Sequence, residues 1–293
     1  MRHFSRDEIL ALDPRVVADM MAEALAMVTR GAVVAPVRTH VDLGNGAGTF
    51  LISGVLTELD LLTVKVINVR PTNAGQGMPR LQGALTVFRS STGEPLATLD
   101  ARAATEVRTA ACSAVSFRWM ARPDSQVLVI FGTGPQAAAH RRALSAEHDF
   151  TDVRVVGRGE DGPAALEHVD VVVTATNSVT PLFPATAIQP GTHLICVGSG
   201  SRGAAEVEPE LLARSATIRV DHRPTCLAES GEIVRALASG MIQESDVREL
   251  GEVVLGQAAG RNDASDITTY KAVGNGTQDA ALAALLLGVM ARA

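Results

Sequence analysis

The chain has 293 residues, is 46% hydrophobic and 3% aromatic, and carries a formal net charge of −6. That length accommodates two ordinary domains with cores built largely from Ala, Val and Leu. The acidic balance argues against binding the nucleic-acid backbone, which needs a basic surface.

Three cysteines, Cys112, Cys196 and Cys226, are scattered without a CxxC pair. "MRHFSRDEIL" lacks an apolar leader run, and "AALAALLLGVMARA" is too short to span a bilayer. We therefore expect a cytoplasmic chain with no disulfide framework and no membrane anchor. The histidines lack HxxxH or HExxH spacing, so no metal site is expected.

Residues 7–30 place Ile9, Leu10, Val16, Val17, Met20, Met21 and Leu25 at helical spacing, which predicts a helix. Between 48 and 100, "GTFLISGVL", "LLTVKVINV" and "GALTVFRSSTGEPLATLD" read as strands, the last as a hairpin turning at Thr92-Gly93. Residues 105–121 return to helical periodicity, with Thr105 and Glu106 suited to the first turn, and "RPDS" at 122–125 breaks the chain. Beyond it, apolar runs at 127–131, 153–156, 169–175, 193–197 and 216–220 alternate with helical or loop segments. Such runs suit strands buried on both faces of a parallel sheet, so we expect an α/β, doubly wound domain. The short span from Arg158 to Asp170 leaves the second crossover little room for a helix and another strand. The tail from Asn275 to Ala293 reads as one more helix, packed back on the first half.

In "VLVIFGTGPQAAAH", residues 127–140, a strand runs into Gly132, Gly134 and Ala137 and then a helix. This is the layout of a Rossmann fingerprint. The first glycine permits the tight turn, the second admits the pyrophosphate, and the helix N-terminus faces the anion. An ordinary glycine-containing turn shares the pattern, but the strands before and after favour the dinucleotide. The second strand ends in Gly157, where an NAD site carries an acid, and Arg158 follows. A guanidinium suits a 2′-phosphate. NADPH is therefore expected, with NADH possible because Glu160 and Asp161 stand close behind.

Taken together, "APVRTH", "TVKVIN", "TEVRTAACSA", "FGTGPQA", "DVVVTATNS", "PGTHLICVGS", "ESGEI" and "ITTYKAVGNGTQD" resemble the ornithine cyclodeaminase/mu-crystallin family, in order along the chain. The resemblance implies a homodimer of two-domain subunits. Residues 1–112 with 275–293 would form an α+β substrate-binding and dimerisation domain, and 113–274 a Rossmann-type dinucleotide-binding domain. It implies hydride exchange between a nicotinamide and the α-carbon of an amino or imino acid. Arg38, Lys65 and Arg108 would hold the substrate carboxylate, with Lys65 also catalytic. Arg108, Thr109, Gly132, Gly134, Gln136, Arg158, Thr176 and Ser199 would hold the cofactor. From the residues alone, Lys65 is more often an outward-facing lysine on a half-buried strand, and Arg108 a surface helix residue. Yet Lys65 interrupts a run otherwise fit for burial, and a buried lysine needs a partner. A substrate carboxylate would supply one.

The cyclodeaminases of this family place a glutamate on the strand before the lysine and an aspartate after the "PGTHLICVG"-like strand. Here those positions fall near Phe50 and Gly200. Neither can pair a second ammonium. The reading that results is reduction of a small cyclic imino acid, Δ1-pyrroline-2-carboxylate or Δ1-piperideine-2-carboxylate, to L-proline or L-pipecolate. An ornithine cyclodeaminase, an alanine dehydrogenase or a non-catalytic NADPH-dependent binding protein are the alternatives.

Overall fold

The structure, a computed structural model, describes residues 1–289. The chain forms two compact units, Met1–Arg108 together with the segment from Asn275 onward, and Thr109–Gly274.

The first unit begins with Arg2–Phe4 (β1), Arg6–Leu10 (α1) and Pro14–Thr29 (α2). The helix expected over 7–30 is thus two. Ser5 and Glu8 close a capping box on α1. Asp13 then caps α2, its side chain accepting from the Arg15 amide, with Pro14 at the first helical position. A proline is tolerated there and nowhere deeper, so it fixes the break. Next come Val33–Val34 (β2), Thr39–Gly44 (β3), Ala47–Leu56 (β4), Leu61–Val69 (β5), Leu81–Arg89 (β6) and Pro95–Asp100 (β7). They form one sheet in the order β1-β7-β6-β5-β4-β2, with β3 also on β4. All pairings are antiparallel except β1 with β7. The expected hairpin is β6 and β7, with Gly93 at φ +74° between them.

Ala101–Met120 (α3) starts earlier than the sequence reading placed it. Asp100 accepts from the Ala103 amide at 2.7 Å, while the Thr105 hydroxyl donates back to the Ala101 carbonyl. The aspartate is the better cap, and it lies one turn upstream.

The second unit carries Val127–Phe131 (β8), Pro135–Glu147 (α4), Asp152–Val156 (β9), Gly162–Ala165 (α5), Val171–Thr174 (β10), His193–Cys196 (β11), Pro209–Arg214 (α6), Thr217–Val220 (β12), Arg223–Glu229 (α7), Gly231–Ala238 (α8), Val247–Glu249 (β13), Leu250–Val254 (α9) and Thr268–Lys271 (β14). The sheet is parallel throughout, in the order β13-β12-β14-β11-β10-β8-β9. This is a Rossmann-type doubly wound sheet. Its crossovers change direction between β8 and β10, where such sheets bind ligands at the strands' carboxyl ends. The second crossover is indeed short: it holds only the four-residue α5, and β9 is the edge strand.

Five strands were absent from the sequence reading: β1 and β2, of three and two residues, and β3, β13 and β14. β3 is solvent-exposed along its length and β13 has three residues. β14, "TTYK", is fully buried yet polar, so no apolar run marks it. Its threonine hydroxyls are satisfied: Thr268 donates to the Met120 carbonyl, and Thr269 bonds Ser215. The chain then returns to the first unit in Gly276–Leu287 (α10), ending at Gly288 with φ +69°. Residues 290–293 of the expected tail helix lie outside the described residues.

Candidate active site

Along β5, Leu61, Thr63, Lys65 and Ile67 alternate onto the buried face. Lys65 is only 1% exposed, in register with Ile52 on β4 and Leu85 on β6. What holds it there is α10, which packs on β4 and β5. The two elements meet at Gly54 and Gly276, where a side-chain carbon on either would come within 2.2 Å of the other's backbone. The Thr63 hydroxyl donates to the Gly276 carbonyl at 2.9 Å. The first turn of α10 therefore lies over Lys65.

The consequence is an ion pair. Lys65 Nζ is 2.8 Å from Asp279 Oδ1 and 2.7 Å from Oδ2, and both residues are buried. Nζ also reaches the Thr105 hydroxyl at 3.4 Å. Arg108, next turn on α3 and buried, donates from Nη1 to Gln278 Oε1 at 2.6 Å, and its Nε stands 3.7 Å from Asp279 Oδ1. The Arg38 guanidinium lies over the Phe50 ring at 4.7 Å, and that ring stacks on His40 at 4.4 Å. Burial pushes the Lys65 ammonium down to about 8; Asp279 opposes the shift, and Arg108 and Arg38 add to it. Arg38, Lys65 and Arg108 thus belong to one electrostatic cluster. Lys65 and Arg108 share the Asp279 carboxylate, and Arg38 adds a third positive charge to the cluster. A bound carboxylate would offset the surplus, and the arginines can engage it bidentately.

Asp279 and Gln278 were missed, although both lie within "NGTQD". A carboxylate in the first turn of a helix is ordinary, so nothing local marked Asp279 as the partner of Lys65. The site is therefore not free of acids, but its acid is taken up by Lys65. Glu58 and Asp60 belong to the surface, paired with Arg30 and hydrogen-bonded to Ser91 respectively.

In the second unit, Gly132, Arg158, Thr176 and Ser199 all follow the carboxyl ends of parallel strands, β8, β9, β10 and β11. Gly132 has φ +118°, and a side-chain carbon on it would meet the Ala175 carbonyl at 2.6 Å. Gly134 caps α4 with no side-chain hydrogen bond, and the space at its α-carbon is open. An N-cap without a side chain, at the start of a 13-residue helix, fits the close approach of the pyrophosphate of a nicotinamide dinucleotide. Gln136 is in the first turn of α4, and its carbonyl bonds His140. Arg158 is exposed, without a hydrogen bond or ion pair among the described residues. Beside it the Glu160 carboxylate folds back to accept from the Gly157 amide at 2.7 Å. Thr109 lies buried on α3, where its carbonyl accepts from Ser113.

Two further acids hold this end of the sheet. Glu206 is fully buried and accepts from the Thr174 hydroxyl, the Thr176 amide and hydroxyl, and the Gly198 and Ser199 amides. Glu232 accepts from the Ser199 hydroxyl and the Glu206 amide and pairs with Lys271 at 3.1 Å. Burial works against both charges, yet their pairing leaves Glu232 below and Lys271 above their ordinary values. These acids lie near Gly200 but are spent on the backbone and on Lys271.

The family model for the ornithine cyclodeaminase/mu-crystallin family matches residues 8–166 and 160–290. A Delta(1)-pyrroline-2-carboxylate reductase of Bacillus cereus is 31% identical over 289 residues, covering 90% of this chain and 89% of the relative. One of Paracoccus denitrificans is 33% identical over 274 residues, covering 86% of each. The solved structure of the Thermococcus litoralis Delta(1)-pyrroline-2-carboxylate reductase in complex with NADH and L-proline superposes with a TM-score of 0.90, at 27% identity over all of both chains. With its matched residues spanning nearly the whole sequence, this chain belongs to the ornithine cyclodeaminase/mu-crystallin family.

Proposed function

We propose that this protein is a nicotinamide-dependent oxidoreductase that reduces a small cyclic imino acid, Δ1-pyrroline-2-carboxylate or its six-membered homologue, to L-proline or L-pipecolate. The observation that carries this reading is the pair of buried cations, Lys65 and Arg108, on one carboxylate, Asp279, with the half-buried Arg38 close enough to act on Lys65. Arg108 and Arg38 would bind the substrate carboxylate. Gln278 orients Arg108, and the Phe50 ring orients Arg38. Lys65, with its ammonium near 8, would donate the proton that the imine nitrogen needs, and Asp279 would hold Lys65 in place and in its charged form. The dinucleotide, when bound, supplies the hydride. Gly132, Gly134 and the start of α4 would hold its pyrophosphate, with Thr109, Gln136, Arg158, Thr176 and Ser199 completing the site.

We assign substrate binding to residues 1–112 with 275–293, and dinucleotide binding to 113–274. The first of these also suits self-association. Val41 on β3, Leu51 on β4 and Val64 on β5 are each more than a third exposed, on the sheet face opposite Lys65. An apolar outer face on a sheet marks an interaction surface, and a homodimer is the reading it supports.

The test is oxidation of NADPH and NADH, followed by absorbance, with a panel of cyclic and open-chain imino acids. Turnover of the five- or six-membered cyclic imines above the open-chain ones is expected. Binding of dinucleotide with no turnover of any imine would refute the enzyme reading.

A further inference from the structure

A second pair of cations lies in the Thr109–Gly274 unit, on the outer strands β12 and β13. Arg219 on β12 and Arg248 on β13 are direct neighbours in parallel register, so their side chains leave the same face of the sheet. Like charges side by side across a sheet are unfavourable. Arg219 is the more costly of the two, being 6% exposed. Its Nη2 donates to the Ala259 carbonyl at 2.8 Å and its Nη1 to the Ile218 carbonyl at 3.3 Å. Its buried Nε has no acceptor among the described residues. The nearby acid, Glu252, is instead paired with Arg248. Burial lowers the Arg219 pKa, Arg248 lowers it further, and Glu252 only partly opposes them. A buried guanidinium that meets only carbonyl oxygens, beside a second guanidinium, lacks a counter-charge of its own.

The same two arginines line a cavity of about 530 Å³. Ser215, Thr217, Ser245 and Asn262 supply its hydroxyl and amide groups, and one carboxylate, Asp246, lines it with Oδ2 accepting from the Gln243 amide. Ser215 and Thr217 lie at the amino end of β12, whereas Gly132, Thr176 and Ser199 follow the carboxyl ends of their strands in the same parallel sheet. The cavity is therefore separate from the dinucleotide loop.

We propose that this cavity is a binding site for a compact dianion, inorganic phosphate or a short dicarboxylate. Arg219 lines it with a guanidinium whose buried Nε lacks an acceptor among the described residues, and Arg248, being partly exposed, can turn to it from Glu252. The Ser245 hydroxyl and the Asn262 amide are the further donors, since Ser215 and Thr217 already donate to the Leu211 and Gly260 carbonyls.

Isothermal titration tests the site, with NADPH in excess so that the dinucleotide loop is filled. Inorganic phosphate and malonate are the two probes. Saturable binding of one or both is expected. Phosphate alone would identify a phosphoryl ligand, malonate alone a dicarboxylate, and both a site that reads charge. Arg219→Gln and Arg248→Gln should each weaken that binding about tenfold or more, the scale of one charged hydrogen bond. Arg219→Lys, which keeps the charge but not the fork, should fall between. Absence of saturable binding to the unaltered protein overturns the proposal, as does binding by Arg248→Gln equal to that of the unaltered protein. The second result stands even where Arg219→Gln fails to fold, because Arg248 is close to half exposed.

Discussion

Lys65 and Asp279, 214 positions apart in the chain, meet in a buried ion pair with Nζ 2.8 Å from Oδ1. The pair joins the middle of β5 to the first turn of α10, so it ties the return of the chain into the sheet. It also fixes the charge balance of the cluster, since Asp279 is the carboxylate that Lys65 and Arg108 share.

The first prediction follows from breaking that pair. Asp279→Asn removes the charge but nearly keeps the shape, and leaves a buried ammonium without its partner. Removal of one member of a buried pair costs about 3–5 kcal/mol. Denaturant unfolding should show a loss of that order. Replacing both members by leucine should recover part of it, because no uncompensated charge then remains. Equal instability of the double and single variants would show that the loss comes from the pair and its packing rather than from an orphaned charge.

The second concerns pH. The folded Lys65 titrates near 8, below its ordinary value, because burial disfavours the charge. If its ammonium donates the proton, kcat/KM should be full below that value and fall as pH rises through about 8. The sign of two substitutions then differs. Arg108→Gln removes a repelling cation and should move the fall to higher pH, whereas Asp279→Asn removes an attracting anion and should move it lower. A profile fixed in position across all three proteins would assign the fall to the substrate imine rather than to Lys65.

The elements that were legible in the sequence are those whose signal is local. The β8 run and the Gly132 turn are contiguous, and the Thr92-Gly93 hairpin carries its turn between its strands. The break at Asp13-Pro14 was equally local but was read through, because the apolar spacing continues across it. The hidden parts of the candidate site are non-local. Asp279 gains its meaning from a lysine on a distant strand. Glu206 and Glu232 are acids in polar loops and helix starts, and only the fold reveals that they hold Thr176 and Ser199. β14 escaped because hydroxyls and a lysine stand where an apolar run was sought. Lys65 itself was readable only as an interruption, and burial decides which way it faces.

The third prediction separates branches of the family. The ring of Phe50 lies under Arg38, and the acids near Gly200 are spent on the backbone and on Lys271. L-ornithine would bring a second ammonium with no free carboxylate to meet it, at a cost of several kcal/mol if it is desolvated. Each increment of about 1.4 kcal/mol is a factor of ten in rate. Parallel assays on one preparation should therefore give ammonia release from L-ornithine orders of magnitude slower than NADPH oxidation with Δ1-pyrroline-2-carboxylate. The reverse ranking would mean that Asp279 leaves Lys65 to serve the substrate amine.

The fourth concerns the choice of dinucleotide, where two residues at the end of β9 pull in opposite directions. Arg158 is exposed, and a 2′-phosphate would give it a charged partner. Glu160 is the acid that an NAD site would use for the ribose hydroxyls, but its carboxylate is held on the Gly157 amide at 2.7 Å. NADPH is therefore expected to bind more tightly than NADH. Arg158→Ala should weaken NADPH about tenfold or more, the scale of one charged hydrogen bond, while NADH changes little. Glu160→Gln keeps the side chain's shape and removes its repulsion of a phosphate, so it should strengthen NADPH and leave NADH equal or weaker. Fluorescence titration of both cofactors against the three proteins reads these differences directly. Equal affinities in the unaltered protein, with NADH lost in Glu160→Gln, would show instead that the carboxylate leaves Gly157 to take the ribose, and that Arg158 is a solvated surface residue.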